Sequence, residues 1–293
     1  MKNAIRSGRI CVFASAVIFG FTPVLAAISY QNGNNGINMA FLRAAVPLPL
    51  LVWLSRHAAF PRKKQWQRGL MAGCLSFACT LMLYSSYEYI SPGLATTLHF
   101  LYPLYVTAYE SAKNLIFPGR RRLLSLSLGV AGAILCCCGA DLHGSALGYL
   151  LALGSGICYA LYIIQLDREA NDPLPLYRLM LAISFSGLFL CGLLGLALGK
   201  LTFSLTATGW LCAAAVALLT AVLGCVLFQR GVRAMGPENA AIYSLLEPMT
   251  SIFFSAALLK DNFSPQKLIG CLLILISLFL VSNYGKKNDK EQR

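Results

Sequence analysis

Charge is scarce in this chain. Asp, Glu, Lys and Arg make up 12% of its residues, where a soluble domain carries about 25%. The 11 acidic residues are scattered along the chain, too far apart to build a metal cage. No HExxH, GxSxG or P-loop occurs, and no ATPase domain fits, so neither an enzyme nor an ATP-driven pump is indicated. There is no CxxC and no Cys/His grouping with zinc spacing, although the chain has 11 cysteines. Nearly all of these lie in apolar runs and read as small buried hydrophobes. Cys136, Cys137 and Cys138 are consecutive, so they cannot all face one helical pocket. No disulfide framework, metal or cofactor is called for.

What is present is apolar residue, at 57% of the chain, with a mean hydropathy of +0.66. A membrane span needs about 20 such residues. Ten spans are expected, near 10–29, 37–54, 69–87, 93–112, 123–140, 144–166, 178–199, 209–229, 238–259 and 267–284. The first resembles a secretory signal, with Lys2, Arg6 and Arg9 before an apolar run and small residues at Ala26 and Ala27. It reaches full span length and nine more spans follow, so it is read as the first span rather than a cleaved leader. A polar tail, 285–293, is expected to be disordered and cytoplasmic.

The net charge of +13 does not imply nucleic acid, because the basic residues sit between spans and form no aromatic-interleaved patch. They orient the chain instead. With the N-terminus inside, 20 of the 24 Lys and Arg fall on inner segments. Only Arg43, Lys200, Lys260 and Lys267 do not. This bias predicts two cytoplasmic termini and an outward-facing turn 31–36.

The chain also contains a repeat. Pro92 and Pro103 in the first half match Pro237 and Pro248 in the second, each pair eleven residues apart. The first proline of each pair suits a helix start, and the second bends or breaks the helix. Gly8 aligns with Gly148, Ser15 with Ser155, and Phe19-Gly20 with Tyr159-Ala160. Arg43 roughly matches Arg178, and Gly129 matches Gly270 after a shift. The repeats, 8–140 and 144–284, hold five spans each, and an odd number turns the second copy upside down. Inverted repeats with broken helices and a site at their interface are the plan of secondary transporters.

Several polar residues lie inside spans. Glu247 stands just before Pro248, and Tyr102 holds the same place before Pro103. Helical projection puts Ala240, Tyr243, Ser244, Glu247, Ser251 and Phe254 on one side. Glu247 reads either as a binder of an ammonium group or proton, or as a local cap. Thr96, His99, Pro103, Thr107 and Glu110 form a comparable stripe. His99 reads as a proton relay or a hydrogen-bonded structural group. Glu110 reads rather as a partner of Lys113 or Arg122 at the surface. Arg43 either binds an anionic group or reaches the outer surface. Tyr84, Tyr87 and Tyr89 suggest an interface belt, and Tyr159, Tyr162 and Gln165 possible cavity positions. The candidate binding residues are therefore Glu247, Tyr243, Ser251, His99, Tyr102, Arg43 and Tyr159, and the candidate helix breaks are Pro23, Pro103 and Pro248.

The sequence resembles the EamA-type drug/metabolite transporter superfamily. The resemblance rests on the two five-span halves, the Gly-containing first span, and the run Gly236-Pro237 to Leu246-Glu247-Pro248, and it covers about Gly8 to Ser282. It implies an inner-membrane carrier, often an exporter of amino acids or other small metabolites, with its cavity between the halves. Relatives often end the fourth and ninth spans in Gly-Glu; here Phe117-Pro118 and Lys260-Asp261 stand there. One interior acid among few interior bases favours an amine or amino-acid-like solute, with protons as the candidate coupling ion. The alternative is a membrane-embedded sensor or assembly subunit that keeps the fold, a role for which the short loops offer little surface.

Overall fold

In the computed structural model, residues 2–86, 89–90, 92–115, 118–137, 145–168, 174–259 and 264–291 are described. Among them there are helices and no strands. In order these are α1 (Lys2–Gln31), α2 (Gly36–Ala45), α3 (Leu48–Ser55), α4 (Lys63–Ser86), α5 (Pro92–His99), α6 (Tyr102–Asn114) and α7 (Arg120–Cys137). Then come α8 (Ala146–Arg168), α9 (Leu176–Ala197), α10 (Ala207–Leu218), a π-helical segment Leu219–Gly224, and α11 (Cys225–Met235). The chain closes with α12 (Pro237–Tyr243), α13 (Leu246–Leu259) and α14 (Pro265–Glu291). A bilayer accepts such a chain because a helix satisfies its own backbone polar groups.

Seven stretches among the described residues are long and apolar enough to cross a membrane: Arg6–Gln31, Gly36–Ser55, Lys63–Ser86, Ala146–Asp167, Leu176–Ala197, Ala207–Met235 and Pro237–Leu258. Large apolar side chains such as Leu150, Phe189, Leu211 and Phe279 are left on the surface. Lipid is the solvent that makes this tolerable.

Local sequence explains the helix ends. The Asn35 side chain accepts from the Asn38 amide and caps α2, and Thr206 does the same for α10 with Gly209. Gly236 takes φ +81°, which ends α11, and Pro237 then opens α12. Pro103 and Pro248 lie just past real breaks, at 100–101 and 244–245. Pro23 does not break its helix; α1 runs through it from Lys2 to Gln31. The loss of one hydrogen bond is absorbed by a long helix packed on several neighbours. The tail expected to be disordered from 285 is helical to Glu291, since Lys, Asp and Glu there continue α14 with no proline to stop it. Residues 87, 117, 138–144, 260 and 261, on which some sequence expectations fall, lie outside the described set.

Packing exchanges partners between the halves. α4 packs on α8 just as α10–α11 pack on α1, and α5–α6 pack on α8 as α12–α13 pack on α1. Gly8 abuts Ala234, and its counterpart Gly148 abuts Tyr89 and Ile90. α7 pairs with α14 and α2 with α9, each helix meeting its own counterpart. Ser125 lies against Ser277 and Gly132 against Gly270, so α7 and α14 run antiparallel. Ile37 lies against Gly195 and Phe41 against Gly192, so α2 and α9 are antiparallel too.

Lipid tails are as apolar as leucine, so helix association here rests on close packing and on interhelical hydrogen bonds. The α7–α14 seam shows both. Ser125 Oγ donates to the Ser277 carbonyl at 2.8 Å, and Ser277 Oγ donates to the Ser125 carbonyl at 2.7 Å. The double variant Ser125→Ala/Ser277→Ala removes both bonds. Its expected loss of stability is about 1–2 kcal/mol, at roughly 0.6 kcal/mol or slightly more per interhelical bond. An unchanged thermal midpoint in lipid nanodiscs would refute this.

The turn 31–36 is clamped rather than free. Thr206 Oγ1 donates to Asn32 Oδ1 at 2.7 Å, and Asn35 Nδ2 donates to the Lys200 carbonyl at 2.8 Å. Asn34 is buried and donates to Ser29 Oγ at 3.0 Å.

Candidate functional site

Each two-proline stretch becomes a pair of short helices joined by a tight turn. In the second half, Leu245 donates back to Ile242 and Glu247 to Ser244, both across three residues. A 3₁₀-type step turns about 120° per residue rather than about 100°. The stripe projected from sequence is therefore cut in two. Tyr243 and Phe254 face α1, against Phe13 at 5.5 Å and Phe21 at 4.7 Å. Ser251 presents its backbone to Gly20 on α1. Ser244 and Glu247 turn the other way, toward Tyr102. Of the three site residues expected on this stretch, only Glu247 joins the site; Tyr243 and Ser251 belong to the α1 contact.

Glu247 is ten residues beyond Pro237. At about 1.5 Å per residue this is about 15 Å, half of a hydrocarbon core about 30 Å thick. Its side chain is partly exposed. Among the described residues its carboxylate has no hydrogen bond or ion pair. It lies within electrostatic reach of Arg43, Tyr84, Tyr102 and Tyr159.

The first-half stretch supplies aromatic rings. Tyr102 is fully buried, with its ring 4.7 Å from Tyr159 and 5.5 Å from His99. The Tyr102 hydroxyl lies near Ser244 without closing a hydrogen bond. Tyr159 stacks on Phe228 at 6.2 Å and lies 5.9 Å from Tyr162. His99 is buried, and its Nδ1 is 3.1 Å from Ser155 Oγ. That hydroxyl already donates to the Ala152 carbonyl at 2.6 Å, so Nδ1 carries the proton and donates to it. The arrangement fits the structural reading of His99. The stripe from Thr96 to Glu110 is also split, at 100–101. Glu110 pairs with Lys113 at 3.7 Å, while Arg122 pairs with Glu238 instead.

Arg43 points into the bundle rather than out of it. Its Nη1 donates to Thr80 Oγ1 at 3.3 Å, and its guanidinium lies 5.9 Å from the Phe77 ring centre. Cys225 and Tyr84 are beside it. Tyr84 therefore belongs with Arg43, not with an interface belt, because its turn of α4 faces α2, where it touches Gly36. Arg178, the rough counterpart of Arg43, is elsewhere. It donates to the Ala58 carbonyl at 3.2 Å and covers the Phe60 ring. The structure thus gathers Glu247, Tyr102, Tyr159, His99 and Arg43.

Thr80, Phe77, Phe228 and Gln229 were not expected as site residues, whereas Ser244 was expected on the Glu247 face. Gln229 is fully buried and donates to the Tyr162 hydroxyl at 3.4 Å, with its Oε1 unpartnered. An amide inside an apolar span is the one sequence signal that marks it.

This is a membrane-embedded bundle with a polar and aromatic centre between two halves. The chain belongs to the EamA-like transporter family, whose pattern matches residues 6–137 and again 146–283. It is similar to the uncharacterized transporter sll1319 of Synechocystis sp. (strain ATCC 27184 / PCC 6803 / Kazusa), with 24% identity over 98% of this chain and 96% of the relative. It is also similar to the uncharacterized transporter YvbV of Bacillus subtilis (strain 168), with 26% identity over 82% and 79%. A crystal structure of a protein 16% identical superposes with a TM-score of 0.80, covering 96% of this chain and 98% of the other, which shows the fold. The protein is a transporter, and transporters of this family are not enzymes.

Proposed function

We infer that the protein is a secondary carrier of a small amine or amino-acid-like solute, working as an exporter by alternating access. The observation that carries this is Glu247, a midplane carboxylate with no hydrogen bond or ion pair among the described residues, set at a helix break within electrostatic reach of Tyr84, Tyr102 and Tyr159. An intramembrane acid is costly, by about 2.5–3.5 kcal/mol on insertion scales, and persists where it faces a pathway or partner. A carboxylate in a centre that also holds tyrosines suits an ammonium group, through charge and cation–π attraction. Arg43, in electrostatic reach but not paired with Glu247, suits the carboxylate end of a zwitterion.

Ten spans in two inverted five-helix repeats, 8–140 and 144–284, complete the reading. The antiparallel runs of α7 with α14 and of α2 with α9 support the inversion. Counterflow in proteoliposomes against a panel of labelled amino acids and amines tests the function. Exchange of at least one zwitterion or amine is expected; no flux across the panel would favour a sensor or assembly subunit.

In this reading both termini are cytoplasmic and the protein lies in the inner membrane, as the Lys and Arg bias supports. Asn34 is too buried to report on this, but Gln31 is exposed at the same turn. With accessible native cysteines replaced, Gln31→Cys should react with an impermeant thiol reagent in intact cells. Reaction only after permeabilisation would overturn the orientation.

A further inference from the structure

Among the described residues, the two broken helix pairs pack closely at one end. α6 packs on α12, whereas α5 and α13, the opposite halves of the same stretches, share no comparable contact among the described residues. In the proposed topology the contacting end is cytoplasmic. The same end carries an ion pair between the halves, Arg122 at the start of α7 with Glu238 at the start of α12. Both side chains are partly buried, so water and salt screen the pair less than a surface pair. Glu110 and Lys113 at the end of α6, and Asp167 at the end of α8, stand around it. Just inside this end, Thr107 and Tyr243 have buried hydroxyls with no hydrogen-bond partner.

The repeat makes the pair informative. Pro237 is followed by Glu238, but its counterpart Pro92 is followed by Gly93, which has no side chain. The position that holds the acid at the cytoplasmic end therefore has no side chain to offer at the opposite end. Two halves with matching packing should open at either end with similar ease. The Arg122–Glu238 pair, which has no counterpart at the repeat-equivalent position, tilts that balance, because it stabilises only the state in which its end is closed.

We propose that the Arg122–Glu238 pair is the latch of the cytoplasmic gate, holding the unloaded carrier closed inside and open outside. The proposal rests on the carrier reading above. Transport requires the latch to break as α12 moves away from α6 and α7, and solute bound at Glu247 acts on that element from just beyond the 244–245 turn. The unpartnered hydroxyls of Thr107 and Tyr243 would then meet water.

The test is a spin-label distance measurement on the full chain in nanodiscs, with labels at Ala112→Cys on α6 and Asn239→Cys on α12. Accessible native cysteines are replaced beforehand. Arg122→Gln and Glu238→Gln, each of which removes one charge of the pair, should raise the long-distance population about five-fold or more, the lower range of measured coupling between states. The swap Arg122→Glu/Glu238→Arg should return the distribution toward that of the parent. Unchanged distances in both neutral variants would overturn the latch. So would a swap that stays open while its thermal midpoint matches the parent. Distance and flux are separate readouts. A shifted distance in a protein that moves no solute keeps the latch and removes the carrier function; the converse keeps the carrier and removes the latch.

Discussion

Glu247→Gln is expected to abolish solute flux in a protein that still inserts and folds. The change keeps the shape and most hydrogen-bonding capacity of the side chain and removes its charge. If the carboxylate holds an ammonium group, apparent affinity for amines falls at least about tenfold, since a buried charge-assisted contact is worth about 1.5–3 kcal/mol. If Glu247 carries a coupling proton, the parent's flux responds to an imposed pH gradient and that response disappears in the variant. The measurement is flux per folded molecule in proteoliposomes, with and without the gradient. Parent-level flux under both conditions would strike Glu247 from the site. Melting temperature separates the readings further, because a merely structural acid would lower stability and leave specific flux near normal.

The second large effect is expected at Gly20. Here α1 crosses the broken helix so closely that an added Cβ would sit 2.7 Å from the Glu247 carbonyl and 2.9 Å from the Ser251 amide, and would collide with Thr250 Oγ1. Two of these neighbours are backbone atoms, so no rotamer change relieves the clash. Gly20→Ala must push α1 off α13 and drag the Glu247 turn with it. Overpacking of this kind costs about 1–3 kcal/mol, and the rigid neighbours put this case at the upper end. Both thermal midpoint and flux should fall. Ala160, at the aligned place in the second repeat, already has its Cβ and is buried without conflict. The glycine that meets a broken-helix carbonyl there is Gly156, 3.0 Å from the His99 oxygen by the same measure. A Gly20→Ala protein with unchanged midpoint and flux would show that the crossing is looser than its geometry.

Much of the architecture is legible in the sequence. Low charge and long apolar runs require a helical membrane protein, because only helices or closed barrels satisfy their backbone in lipid. The paired prolines mark both helix breaks to within a few residues, since a residue without an N–H cannot continue a backbone ladder. The Gly8/Gly148 match corresponds to two equivalent close contacts. Pro23 misleads because a proline in a long, well-packed helix removes one bond without ending it.

The polar and aromatic centre is only half legible. Glu247 and Tyr102 stand out as polar and aromatic residues at breaks, and Tyr159 is marked by its place in the repeat. Which face of each helix they occupy is not, because a uniform 100° projection fails across a 3₁₀ turn. That single turn sends Tyr243 to α1 and leaves Glu247 facing Tyr102.

The sequence by itself determined the class of molecule, its duplication, the places where helices break, and the scarcity of interior charge. All of these follow from local chemistry: hydropathy, proline, and residue order. Only the tertiary structure decided that Arg43 turns inward to Thr80, that Gln229 reaches Tyr162, and that Arg122 closes on Glu238. Those meetings join helices far apart in the chain, and one-dimensional periodicity carries no information about which helix lies opposite which.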